Sequence, residues 1–185
     1  MGMMGGMGMM GGPFPPSSRP LSMAQAIEII RQWPAAHRLD DLVLDEIEAY
    51  TQNFYGQFKE RETGRGAVQV LVDRYTGRAM PEMGPNMMWN TRYSPMAGSG
   101  MMSGFSQQPS GPPTVSADQA QKIAQQWLDQ NQPGSAMEAA DVFPGYYTLH
   151  ITRDGTVTGM LSVNSYTGQV WYHTWHGTFV SSTEA

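Results

Sequence analysis

Cysteine is missing from all 185 residues, which excludes a disulfide framework, a thiolate zinc site and covalent haem attachment. No run of 18 apolar residues occurs, so no segment is expected to span a membrane. Basic charge is scarce: 11 Lys and Arg against 16 Asp and Glu leave a net charge of −5, without the basic footprint that nucleic acid requires. The first residues have neither the basic start nor the apolar core of a secretory signal. Low charge, abundant Gly, Tyr and Trp, and no Cys nevertheless lean towards an exported protein, periplasmic or extracellular, with any signal already removed. Catalytic constellations are also wanting. There is no phosphate-binding loop, and Gly100 to Gly111 lacks the flanking strand and helix that one needs. Asp40-Asp41 and Asp45-Glu46-Glu48 read as a solvated edge, and no Ser/His/Asp set is singled out. The expectation is a protein that is not an enzyme.

What the chain does contain, it contains twice. Val68-Gln69-Val70-Leu71-Val72 leads into Asp73-Arg74-Tyr75-Thr76-Gly77-Arg78, and Met160-Leu161-Ser162-Val163 leads into Asn164-Ser165-Tyr166-Thr167-Gly168-Gln169. An apolar run ending in Asp or Asn and followed by Thr-Gly reads as a strand entering a tight turn, with Gly supplying positive φ. Upstream, Tyr55 matches Tyr147, Arg61 matches Arg153, and Trp33 matches Trp127. Ser22-Met23-Ala24-Gln25 likewise matches Ser116-Ala117-Asp118-Gln119, and both carry the Ser-x-x-Gln capping-box pattern of a helix start. A duplication accounts for the whole set.

Each copy then reads the same way. Met23, Ala26, Ile27, Ile30 and Trp33 form one helical stripe, which Pro34 is expected to stop; Ala120, Ile123, Ala124, Trp127 and Leu128 form the other. Leu42 to Glu48, Asn53 to Phe58 and Ala67 to Val72 read as strands in the first copy. In the second, Tyr147 to Ile151 and Val157 to Val163 flank an Asp154-Gly155 hairpin turn. Final strands are expected over Arg78 to Pro81 and Gln169 to Trp175. The predicted fold class is α+β, two repeats, each one helix packed on a three- to four-stranded antiparallel β-meander. The predicted division is a Met/Gly/Pro-rich tail (1–20), repeat 1 (21–80), a Met-rich inter-repeat segment (81–114) and repeat 2 (115–180).

Three features lie outside the repeat pattern. The tail places six Met in its first ten residues among glycines. It reads as a flexible or adaptable apolar strand without bound cofactor, or alternatively as thioether ligation of Cu(I) by Met3, Met4, Met7, Met9 and Met10. The inter-repeat segment carries Met87, Met88 and Trp89, too apolar for a free linker and expected to lie on the repeat surfaces. At the C-terminal end Trp171, Tyr172 and Trp175 crowd one strand, where Trp171 and Tyr172 must face opposite sides. These six residues are the predicted partner-binding set, for a protein partner or for self-association. His173 and His176 have a spacing that suits metal ligation on a helix. On the expected strand their rings diverge, so no metal role is assigned to them.

Helix, meander and closing [Asp/Asn]-x-Tyr-Thr-Gly turn together resemble the PepSY domain, with copies over 21–80 and 115–175. That resemblance implies an exported, non-catalytic module that binds or restrains a partner, in some relatives a protease, and it brings no catalytic residues. The expectation is therefore a non-enzymatic interaction or structural protein. The alternatives are a periplasmic Cu(I)-binding protein and a peptidase-restraining module.

Overall fold

The computed structural model describes residues 19–94 and 111–184. The predicted tail thioethers Met3, Met4, Met7, Met9 and Met10 lie outside the described residues. In chain order the elements are α1 (Met23–Ala36), β1 (Leu42–Tyr50), β2 (Asn53–Glu60), β3 (Gly66–Asp73), β4 (Ala79–Pro81), α2 (Pro85–Met88), α3 (Ala117–Asn131), β5 (Ala136–Met137), β6 (Asp141–Phe143), β7 (Tyr146–Arg153), β8 (Thr156–Asn164), β9 (Val170–Tyr172) and β10 (Phe179–Glu184). The fold is α+β, each repeat contributing a helix and an antiparallel meander.

Both helices begin as their sequences dictate. Ser22 and Ser116 accept from the amide of the third helical residue, and the Gln25 and Gln119 side chains return a bond to the cap amide. One expectation needs correcting: Pro34 does not stop α1, which continues to Ala36. Pro34 lies in the last turn, so its missing N–H and the crowding of its ring fall at the helix end, which closes through His37 and Leu39 amides donating to the Pro34 carbonyl.

The two Thr-Gly turns are built alike. Asp73 Oδ1 accepts from the amides of Tyr75 and Thr76, and Asn164 Oδ1 accepts from those of Tyr166 and Thr167. Gly77 and Gly168 take φ of 67° and 71°, where a side chain would be strained. Each turn also receives the chain entering its own helix. The Leu21 amide donates to the Arg74 carbonyl, and the Thr114 and Val115 amides donate to the Ser165 carbonyl. The repeated motif is thus a clasp that fixes where each helix begins.

Sheet A runs β10-β1-β2-β3-β4 and sheet B runs β5-β7-β8-β9, with β6 also pairing β7. Two departures from the sequence reading follow. The strand expected over Gln169 to Trp175 ends at Tyr172, and the chain then crosses to lay β10 antiparallel beside β1, matching Ile47 with Thr183 and Ala49 with Ser181. The residue pairing of the repeats also slips by one. Phe54 faces Val72 across its ladder as Tyr147 faces Val163, so Phe54, not Tyr55, is the counterpart of Tyr147. Because strand side chains alternate, that single step sends Tyr55 and Tyr147 to opposite faces.

Helix α1 covers one face of sheet A with Ala26, Ile30 and Trp33 against Ile47, Phe54, Phe58, Val70 and Val72. Helix α3 covers sheet B with Ala120, Ala124 and Leu128 against Tyr147, Leu149, Ile151, Leu161 and Val163. The remaining faces of the two sheets meet in a central seam, where Tyr50, Tyr55, Leu71 and Met160 form a small apolar cluster. The approach of α1 depends on Gly56, whose added Cβ would sit 2.8 Å from Ile30 Cγ2. Ile30→Ala is expected to lower unfolding free energy by about 2–5 kcal/mol through the cavity left under the helix. Urea denaturation checks this: the midpoint should fall with the slope unchanged, and a loss well under 1 kcal/mol would mean that the helix is not sealed on the sheet.

Candidate functional site

The seam is polar to an unusual degree for the middle of a four-layer fold. Glu48, Gln57, Gln69, Glu82, Asn86, Thr148, His150, Ser162, His173 and His176 are all buried. A buried polar group without partners is costly, so the seam is held by reciprocal bonds between repeats. Tyr146 Oη donates to Gln69 Oε1 at 2.7 Å, and Gln69 Nε2 donates to Tyr55 Oη at 2.6 Å and to Thr148 Oγ1 at 3.3 Å.

The segment after β4 is sutured to the edge of sheet A by two asparagines four residues apart. β4 pairs only with Val70, Leu71 and Val72 of β3. Beyond it, Asn86 stands in for a strand, its Oδ1 accepting from the Gln69 amide and its Nδ2 donating to the Gln69 carbonyl, each at 3.1 Å. Asn90 Nδ2 donates to the Ala67 carbonyl at 2.7 Å. This anchorage holds Glu82 fully buried beneath α2.

Glu82 is met from the second repeat by the 173–176 loop. His173 Nδ1 lies 3.3 Å and His176 Nε2 lies 2.9 Å from Glu82 Oε1, which also accepts from Trp175 Nε1 at 3.0 Å. Because the chain leaves the ladder after Tyr172, the two rings converge on one carboxylate, and the expectation that they diverge on a strand is overturned. Burial by itself would raise the Glu82 carboxyl, but the two imidazoles outweigh it and hold the group at about 2. Burial pushes the His173 imidazole below its ordinary value, against the pull of Glu82. The three ligand atoms lie within 4.8 Å of one another.

A second buried cluster joins β1 to β7. His150 Nε2 is 3.2 Å from Glu48 Oε2 and its Nδ1 is 3.7 Å from Glu138 Oε2, while Tyr50 Oη donates to Glu48 Oε2 at 2.8 Å. Glu46 and Asp141 face the same ring. Desolvation lowers the imidazole, but Glu48 foremost, then Glu46 and Asp141, raise it to about 9. Glu46 itself is pushed up to about 7 by burial and by Glu48. This buried cluster joins the two repeats across the seam.

The structure places Met87, Met88 and Trp89 in and just after α2, Trp171 and Tyr172 in β9, and Trp175 in the loop beyond it. Trp89 meets Trp171 edge to face at 5.4 Å between centroids, beside half-buried Met87 and exposed Met88. Tyr172 turns the other way and stacks on Trp127 against α3, while Trp175 packs into the seam as a Glu82 donor. Sequence reasoning missed Glu82, Glu48 and His150. A glutamate directly after an edge strand and a histidine inside an apolar alternation were the available signals, and neither is distinctive alone.

Among the described residues no helix is long and apolar enough to cross a membrane. No family model matches the sequence, and no curated protein matches it. Among solved structures, the C-terminal domain of YpeB from Bacillus megaterium is similar with a TM-score of 0.31 and 9% identity, over 86% of this chain and 65% of that one. The chain therefore spans just under two thirds of the length of that structure.

The His150 pair carries a pH signature. The raised folded-state value means that its stabilisation is complete below an unfolded value near 6.5 and is lost as pH rises through about 9. The loss is on the order of 3 kcal/mol. Thermal unfolding between pH 6 and 10 should show this decline in the intact chain. His150→Gln should be less stable at pH 6 and should lose the part of the decline that lies above the Glu46 value of about 7; an equally steep decline there in the variant would assign the effect to another group.

Proposed function

We propose that the chain is an exported, non-enzymatic interaction protein, in which two PepSY-like units are fused into one body that associates with a second copy of itself. The observation that carries this reading is the surface at α2. Met83 and Met88 are 44% and 46% exposed, two of the four large apolar side chains so exposed among the described residues. They lie in the same short segment as Trp89, whose ring meets Trp171 of the second repeat. Methionine adapts its shape to a partner, and tryptophan contributes large contact area with few rotatable bonds, a combination suited to association. The other faces of both sheets are already occupied, by helices outside and by the seam inside, which leaves function to surfaces such as this one. Export agrees with the absence of cysteine and with the PepSY resemblance.

Size-exclusion chromatography with light scattering tests this reading. The intact chain should run as an oligomer whose mass rises with concentration. Met83→Lys combined with Met88→Lys should run as a monomer with unchanged circular dichroism, since both side chains are exposed. An intact chain that stays monomeric, or a double variant that associates equally well, overturns it.

A further inference from the structure

We infer that Glu82, His173 and His176 form a buried site for one divalent transition-metal ion of zinc type, which staples the second repeat to the first. The site is independent of the association surface proposed above. Two imidazoles and a carboxylate are the nitrogen and oxygen donors that zinc takes when no thiolate is present. All three side chains are buried, with exposures of 2% or less, and three protein donors leave the fourth tetrahedral position to a water or to the second carboxylate oxygen.

The tautomers are the first support. His176 Nδ1 lies 3.0 Å from Asn53 Oδ1, an acceptor whose amide nitrogen is committed to the Trp175 carbonyl at 2.8 Å. Nδ1 must then carry the proton, and Nε2 turns a lone pair towards a carboxylate oxygen 2.9 Å away. Two electron-rich atoms at that separation repel unless a cation lies between them. A proton would do so through an aligned N–H···O bond, but neither His176 Nε2 nor His173 Nδ1 makes one, and Glu82 Oε2 also has no hydrogen-bond partner. The two ring nitrogens that face Glu82 are thus left over in a fully buried place, where a metal would use them, and such orphans are rare in folded proteins.

The outer shell is the second support. Histidine ligands ordinarily bond their other ring nitrogen to a fixed partner, which sets the ring and its tautomer. Both do so here. His173 Nε2 is 3.0 Å from Ser162 Oγ, itself 2.9 Å from Thr148 Oγ1, and His176 uses Asn53 as described. The carboxylate is bonded as well, by Trp175 Nε1. Opposite ring nitrogens, Nδ1 of His173 and Nε2 of His176, therefore face the same point, as the His-x-x-His loop requires to reach one ion from adjacent turns of chain.

The full chain, stripped with a chelator and desalted, should take up one equivalent of Zn²⁺ by titration calorimetry and gain thermal stability from it. Long-range ¹H–¹⁵N spectra of the histidine rings should show Zn²⁺ shifting Nδ1 of one ring and Nε2 of another, with the other two histidines unmoved. Glu82→Gln and His176→Gln should lose the binding, and Ser162→Ala, which removes only an outer-shell partner, should weaken it about 10–100-fold. The wild-type spectra decide the matter even where a ligand variant fails to fold. Two rings protonated on both nitrogens and indifferent to Zn²⁺ would establish a plain ion pair and overturn the site. Zn²⁺ uptake that persists in a folded His176→Gln variant would place the metal elsewhere and overturn it as well.

Discussion

The shared face between the two sheets governs this structure. Helices seal the outer faces with ordinary apolar stripes, and those faces would tolerate repacking. The seam would not. Gln69, Tyr55, Tyr146 and Thr148 satisfy one another only in one relative placement of the sheets, and Glu48 with His150, and Glu82 with His173 and His176, put ionisable groups where a displacement would strand a charge. Removing one partner of a buried pair costs far more than the pair contributes over an apolar replacement, so such contacts specify geometry more than they add stability. The arrangement of the repeats is therefore set by polar matching, and the small cluster of Tyr50, Tyr55, Leu71 and Met160 fills what remains.

This division of labour explains what the sequence disclosed. Helix starts, hairpins and the paired Thr-Gly turns are local, each written in a few adjacent residues, and Ser22-x-x-Gln25 or Asp73 to Gly77 can be read without knowing the rest of the chain. The fold class followed from them. The slip between Tyr55 and Tyr147 arose because matching letters outweighed ladder register, which only the strand partners reveal. β10 was invisible for a related reason: Phe179 to Glu184 has little apolar alternation of its own and becomes a strand because β1 offers it an edge.

The buried site was least legible. Glu82 carries no motif, and its significance comes from residues 173–176, about half the chain away in sequence. The spacing of the histidine pair is legible, but on a continuing strand the two rings would diverge. Two more ladder residues after Tyr172 would have made them do so. Packing splits the predicted contact set in the same manner: Trp89 meets Trp171, whereas Tyr172 stacks on Trp127 and Trp175 joins the seam.

The crossing of the chain after Tyr172 has a consequence in time. Until residues 173–184 are available, β1 keeps an open edge and Glu82 has no imidazole to face, so the first repeat cannot close its seam while the second is still being made. Such long-range closure makes folding slow and late, because the ends of the chain must meet before the contacts between them reward it.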